Sequence, residues 1–122
     1  MSEIKNREFL ILSKAKQLVF DIDDILENVP RKDIYYKDKL KEYCNDLIYN
    51  ILFLNNLNNL NNKKDIYFCK IFTNISMIDM YLWRLNSKKY IADNSTKRMA
   101  ILLVEINKMC ITWRKNNAES QY

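Results

Sequence analysis

Three cysteines and one run of carboxylates are the side chains in this sequence best equipped for chemistry. Cys44, Cys69 and Cys110 could act as nucleophiles or metal ligands, and both roles ordinarily draw on a nearby histidine. The sequence contains no histidine. That removes Ser-His-Asp triads, Cys-His pairs and the Glu-x-x-His di-iron sites of helical bundles. The cysteines also lie far apart and match no zinc-ligand spacing. An odd count with no secretory leader reads as reduced thiols in a cytoplasmic protein, packed as small buried hydrophobes.

Asp21, Asp23, Asp24 and Glu27 could form a metal site or an acid–base pair, since Asp23 and Glu27 would be neighbours on a helix. No histidine or glycine-bearing loop stands ready to oppose them. Acidic groups near a helix C-terminus also work against its dipole. They read as a solvated face, or as a surface that meets a basic face of another subunit. Glycine is absent altogether, which excludes every glycine-rich phosphate loop and argues against hairpin-built β folds. No cofactor, metal or catalytic residue is expected, and no apolar run approaches the roughly 20 residues that span a bilayer. The chain reads as a binding protein.

Its charge is unevenly placed. The net is −2 over residues 1–29, +1 over 30–62, +2 over 63–87 and +4 over 88–122, giving +5 in all. The basic excess comprises Lys63, Lys64, Lys70, Arg84, Lys88, Lys89, Lys97, Arg98, Lys108, Arg114 and Lys115. Lys70 and Arg84 are two heptads apart and share a helix face. Such a patch is the footprint of phosphate contact. The plain alternative is composition: sixteen Asn, fifteen Ile and fifteen Lys all have AT-rich codons, and lysines commonly line solvated faces.

The elements that must position these residues are four amphipathic helices, at about 4–28, 33–55, 64–86 and 95–115, within one domain spanning 1–122. Ile11, Ala15, Leu18, Ile22, Ile25 and Val29 recur at steps of four and three. Pro30 ends that helix by forcing the preceding residue out of the α region. Asp33 is placed to cap the second helix, whose stripe is Tyr36, Leu40, Cys44, Leu47, Ile51 and Leu54. The third stripe is Phe68, Ile71, Ile75, Ile78, Leu82 and Leu85. The fourth helix opens at Asn94 or Ser95 and buries Met99, Leu102, Leu103, Ile106, Met109, Cys110 and Trp113. Short connections make an all-α, antiparallel up-down-up-down four-helix bundle the simplest topology. The asparagine-rich stretch from Asn55 to Asn62 reads as a turn with frayed helix ends.

One face is left over. Ile101, Val104 and Ile111 fall opposite the fourth helix's core stripe, alongside Lys97, Lys108 and Lys115. Cys69, Phe72, Met80 and Trp83 flank the third stripe in a weaker version. A helix that is apolar on two sides is usually buried on two sides, so Ile101, Val104, Ile111, Phe72 and Trp83 are candidate oligomer contacts. The other reading is a wide seam with stray exposed apolar residues.

The turn Val29-Pro30-Arg31-Lys32, the segment Tyr81-Leu82-Trp83-Arg84-Leu85, and the final Ile106-Asn107-Lys108-Met109-Cys110-Ile111-Thr112-Trp113 together resemble a known family. It is the accessory variability determinant (Avd) family of diversity-generating retroelements, and the likeness covers nearly the whole chain in element order and length. The resemblance implies a homopentameric ring with a basic surface. Such a ring binds the retroelement reverse transcriptase, its structured template RNA and cDNA, and supports mutagenic copying without doing chemistry itself. It implies contacts at Arg31, Lys32, Arg84 and Arg114, with Trp113 as a core plug. Charge adds Lys70, Lys88, Lys89, Lys97, Arg98 and Lys115. Where family members often carry Gly ahead of the final Trp, this chain has Ile111 and Thr112, so packing differs there. Two alternatives stand beside it: a bundle like the ribosomal-RNA intervening-sequence proteins, and an oligomeric scaffold whose partners are proteins only.

Overall fold

Pro30 decides where the first helix stops. The computed structural model describes residues 3–57 and 63–119, with side chains over 10–57 and 63–117. Helix α1 spans Glu3–Leu26. It ends two residues earlier than the periodicity predicts, because the chain ahead of Pro30 closes in tight turns: the Asn28 and Val29 amides donate to Ile25 and Leu26, each at 3.1 Å. Pro30 itself is extended, and a 3-10 turn over Arg31–Asp33 follows, which the sequence did not announce.

Helix α2 runs Ile34–Asn56, α3 runs Lys64–Ser87 and α4 runs Asp93–Glu119. Asp33 stands at the α2 N-cap position but makes no side-chain cap bond, since its carboxylate is engaged elsewhere. Helix α4 opens at Asp93, ahead of Asn94 or Ser95. There the Thr96 amide and hydroxyl both donate to the Ala92 carbonyl at 3.0 Å. It also continues four residues past the expected end at 115. Of the asparagine-rich connection, residues 58–62 lie outside the described residues. No strand occurs among the described residues.

Each helix buries its heptad stripe against two neighbours: α1 packs on α2 and α4, and α3 packs on the same pair, with no close backbone approach across either diagonal among the described residues. All six stripe residues of α3 are buried, as are Leu40, Cys44, Leu47, Ile51 and Leu54 of α2. In α1 the last turn uses Leu26 where the strict repeat calls for Ile25, because 3.6 residues per turn drifts against a 3.5 period. Tyr36, Leu102, Met109 and Trp113 are only half-buried and close the edges of the seam. Trp113 sits edge-on to Phe68, with centroids 5.1 Å apart. Polar contacts rim the packing: Lys14 with Glu105 at 3.1 Å, Lys41 with Asp23 at 3.9 Å, and Arg114 with Asp65 at 3.3 Å.

One expectation about the thiols is overturned. Cys44 and Cys110 are buried, and burial pushes both up to about 12, so neither is a ready nucleophile. Cys69 is exposed, because it lies on the outward side of α3 rather than in its stripe.

A glycine-free chain must still end its helices, and α3 shows how. The Tyr90 amide donates to the Leu85 carbonyl at 3.1 Å and the Lys89 amide to Asn86 at 2.8 Å, the two bonds of a Schellman motif. Its left-handed position is taken by Lys89, with φ of 67°. A lysine held there costs on the order of 1 kcal/mol relative to glycine. Lys89→Gly therefore raises folding stability by roughly 1 kcal/mol, read as a higher urea midpoint with an unchanged slope. A lower midpoint would show that the lysine side chain makes a compensating contact.

Candidate nucleic-acid interface at one end of the bundle

The 3-10 turn and the α3–α4 connection meet at one end of the bundle, and Asp33 joins them. Its carboxylate accepts from Lys88 Nζ at 3.2 and 3.3 Å and from the Tyr90 hydroxyl at 2.5 Å. The Tyr90 hydrogen bond, then Lys88, hold the Asp33 carboxyl below its ordinary value, and the same bond raises the Tyr90 phenol. The connection is braced from within as well. The Asn86 side-chain amide donates to the Ile91 carbonyl at 3.1 Å and to Asp93 at 2.8 Å. Lys89 is thus presented from a fixed turn.

Tyrosines floor this end. Arg84 and Lys88 lie over the Tyr36 ring at 5.8 and 5.4 Å from its centroid. Tyr36 meets Tyr35 and Tyr81 edge-on, and Tyr81 stacks on Tyr43 with centroids 5.9 Å apart. The half-buried Tyr36 ring with two cations above it offers both stacking surface and positive charge.

Asp33 neutralises Lys88, the least exposed cation of the group, and leaves the rest. Arg31, Lys32, Arg84 and Lys89 are exposed and make no ion pair among the described residues. Lys97 and Arg98, near the start of α4, are likewise exposed and unpaired. The basic residues therefore do not form one continuous patch. Lys70 is fourteen residues from Arg84, about 21 Å along the helix at 1.5 Å per residue. Lys70 covers the Tyr67 ring at 4.9 Å, and Arg114 is committed to Asp65. Lys115 is exposed on the same distant turn of α4.

The candidate oligomer residues divide too. Ile101, Val104 and Ile111 are 64%, 52% and 52% exposed, on one line with exposed Lys97, Lys108 and Lys115 at steps of four and three. Trp83 is also exposed, whereas Phe72 is half-buried against the core and belongs mainly to the seam. The outward line of α3 is longer than the sequence reading held: Ile66, Cys69, Thr73, Ser76, Met80, Trp83 and Ser87 are all exposed and none is charged. On the opposite side of the molecule, Val19, Phe20 and Ile48 line an apolar groove of about 360 Å³ between α1 and α2.

Sequence reasoning missed Asp33 and Tyr90 as partners and placed Tyr36 in the core. The available signal was the pairing of Arg31-Lys32 with Tyr35-Tyr36 and of Lys88-Lys89 with Tyr90. Among the described residues, no group of three or more Cys, Asp or Glu side chains could hold a metal ion, and no helix is long and apolar enough to cross a membrane. No protein-family profile, curated protein or solved structure matches the chain.

The Asp33 clasp sets a pH dependence. Because folding lowers its pKa, its contribution is full above the ordinary carboxylate value of 3.8 and is lost as pH falls through the lower folded value. Tyr90 acts in the opposite sense, contributing below its ordinary value of 10.0 and losing that contribution as pH rises through the raised one. Asp33→Asn should therefore cost stability at neutral pH, with the gap from the parent chain closing below about pH 3.8. Urea midpoints across the acid range would show it; a gap that persists unchanged into strong acid would assign the cost to something other than the charge.

Proposed function

We propose that this protein is a non-catalytic accessory protein of a diversity-generating retroelement. In this reading it is a cytoplasmic, basic homo-oligomeric ring that binds the reverse transcriptase and its template RNA during mutagenic cDNA synthesis. The observation that carries the nucleic-acid part is the end of the bundle where Arg84 and Lys88 lie over Tyr36 and where Arg31, Lys32, Arg84 and Lys89 are exposed without an ion pair among the described residues. Cations over aromatic rings suit phosphates with unstacked bases better than they suit a small-molecule reaction. The family resemblance supplies the particular partners, and Val29-Pro30-Arg31-Lys32 lies at this same end.

The bundle itself is proposed to be antiparallel, up-down-up-down. Supporting this, Asp65 at the start of α3 reaches Arg114 near the end of α4, and Asp23 near the end of α1 reaches Lys41 early in α2. Assembly is proposed to use the exposed Ile101, Val104 and Ile111, with five subunits as the family likeness implies. The acidic turn around Asp23, Asp24 and Glu27, beside the apolar groove at Phe20, is a complementary surface for that lysine-flanked stripe. Two such different surfaces give a head-to-tail contact, which closes into a ring when its rotation permits.

A protein-only scaffold is favoured by the same apolar stripe, and salt separates the two readings. Each phosphate contact contributes about 0.7 to the slope of log affinity against log salt on single strands. Binding of a structured RNA should fall steeply as salt rises, and replacing Arg31, Lys32 and Lys89 together with alanine should reduce that slope by about 2. In the same samples, Ile101→Asp with Val104→Asp should lower the light-scattering mass to that of one chain. RNA binding absent at both low and moderate salt would refute the nucleic-acid reading, and a monomeric parent chain would refute the ring.

A further inference from the structure

One helix face has the spacing of a coiled-coil seam and no partner within its own bundle. Along α3, exposed side chains from Ile66 to Ser87 recur at steps of three and four, and none carries a charge. Ile66, Met80 and Trp83 on that line are 55%, 49% and 40% exposed. Single exposed apolar residues are ordinary, whereas several on one uncharged heptad line are the pattern of a helix that packs against another. The α4 stripe proposed for ring assembly is a different face, and its line carries lysines.

The residues flanking the α3 line say which helix would cover it. In a parallel, in-register pair, the side chain just before one seam residue reaches the side chain just after the next seam residue of the other helix. That rule sets Asp65 against Lys70 of the other copy, Phe72 against Met77, and Asp79 against Arg84. Two of these pairs are opposite charges and the third is apolar, and a two-fold axis makes each of them twice. An antiparallel pair would instead set Lys70 against Arg84 and Asp65 against Asp79, like charge on like. The charged groups are free to respond. Asp79 makes no ion pair among the described residues, and Asp65, 76% exposed, gives one oxygen to Arg114. Lys70 and Arg84 are exposed and rest over tyrosine rings.

We propose that α3 pairs with α3 of a second copy of this chain, parallel and in register, along the line from Ile66 to Ser87. The flanking charges choose the orientation and add little strength, because they remain at the surface. Thr73, Ser76 and Ser87 make the seam partly polar, so the pair forms in concentrated solution and separates on dilution. This contact is independent of the RNA-binding reading and of the α4 stripe. It occupies Arg84 and leaves Arg31, Lys32 and Lys89 at the end of the bundle. It also faces Cys69 with Cys69 of the second copy, near the roughly 6 Å between Cα atoms that a disulfide spans. The antiparallel arrangement would hold the two thiols about 16 Å apart along the axis.

The test oxidises the full chain in concentrated solution with diamide, which takes up the two thiol hydrogens, and reads the covalent dimer on a non-reducing gel. Cys44 and Cys110 are buried, so the bond should map to Cys69 of both chains, and Cys69→Ser should abolish it. Asp79→Arg and Arg84→Asp should each slow dimer formation at least fivefold, and the two together should restore it to within twofold of the parent. Arg84→Asp lowers the net positive charge, so slower cross-linking there has no source in general repulsion. Ile101→Asp with Val104→Asp, which removes the α4 contact, should sediment as one chain when dilute and approach twice that mass when concentrated. The absence of a Cys69–Cys69 bond would overturn the proposal, as would rates within twofold of the parent for both single charge variants. A mass that stays at one chain at every concentration would overturn it too.

Discussion

Everything on the surface of this protein follows from the rotation of its helices about their own axes, and that rotation is set by the buried seam. Leu18, Leu40, Leu47, Ile71, Ile78, Leu82 and Ile106 are essentially solvent-free. Turning α4 by one residue, about 100°, would expose Ile106 and Cys110 and strip about 25 cal/mol of stabilisation for each Å² of apolar surface released. With that stripe inward, Ile101, Val104 and Ile111 have nowhere to go but outward. The same constraint puts the uncharged line from Ile66 to Ser87 on the outside of α3. These exposed apolar rows are consequences of the register, and they persist in a chain whose surface is otherwise rich in charge.

The cations obey a second constraint, which is local. Two connections converge at one end of the bundle, and each brings lysine or arginine. One carboxylate, Asp33, sits between them. It pairs with Lys88, also accepts from Tyr90, and so stitches the 3-10 turn to the end of α3. What it cannot do is neutralise the rest. Arg31, Lys32, Arg84 and Lys89 retain their charge, and Lys89 does so from a left-handed backbone position that glycine or asparagine would fill more easily. A strained lysine beside unpaired cations is the arrangement expected where charge at that point matters more than the last kilocalorie of stability.

The helices were legible in the sequence because their apolar spacing is regular over many turns. All six stripe residues of α3, and five of six in α2, went inward as their periodicity required. Boundaries were less legible. Pro30 fixed the end of α1 only to within two residues, and Asp33 looked like a cap because nothing nearby in sequence reveals that Lys88 and Tyr90 will reach it. Those partners are 55 and 57 residues away. For the same reason one expected basic patch became two separated groups: sequence spacing gives the face of a helix, whereas position along the bundle depends on where neighbouring helices start.

The proposal that RNA meets this protein at the tyrosine-floored end can be tested by direct cross-linking. RNA carrying 4-thiouridine would be irradiated in complex with the full chain, and the adducts mapped by mass spectrometry. The account predicts adducts concentrated on the peptides spanning 31–36 and 84–90. Adducts confined to the outward α4 stripe between 101 and 111, with none on those two peptides, would contradict it.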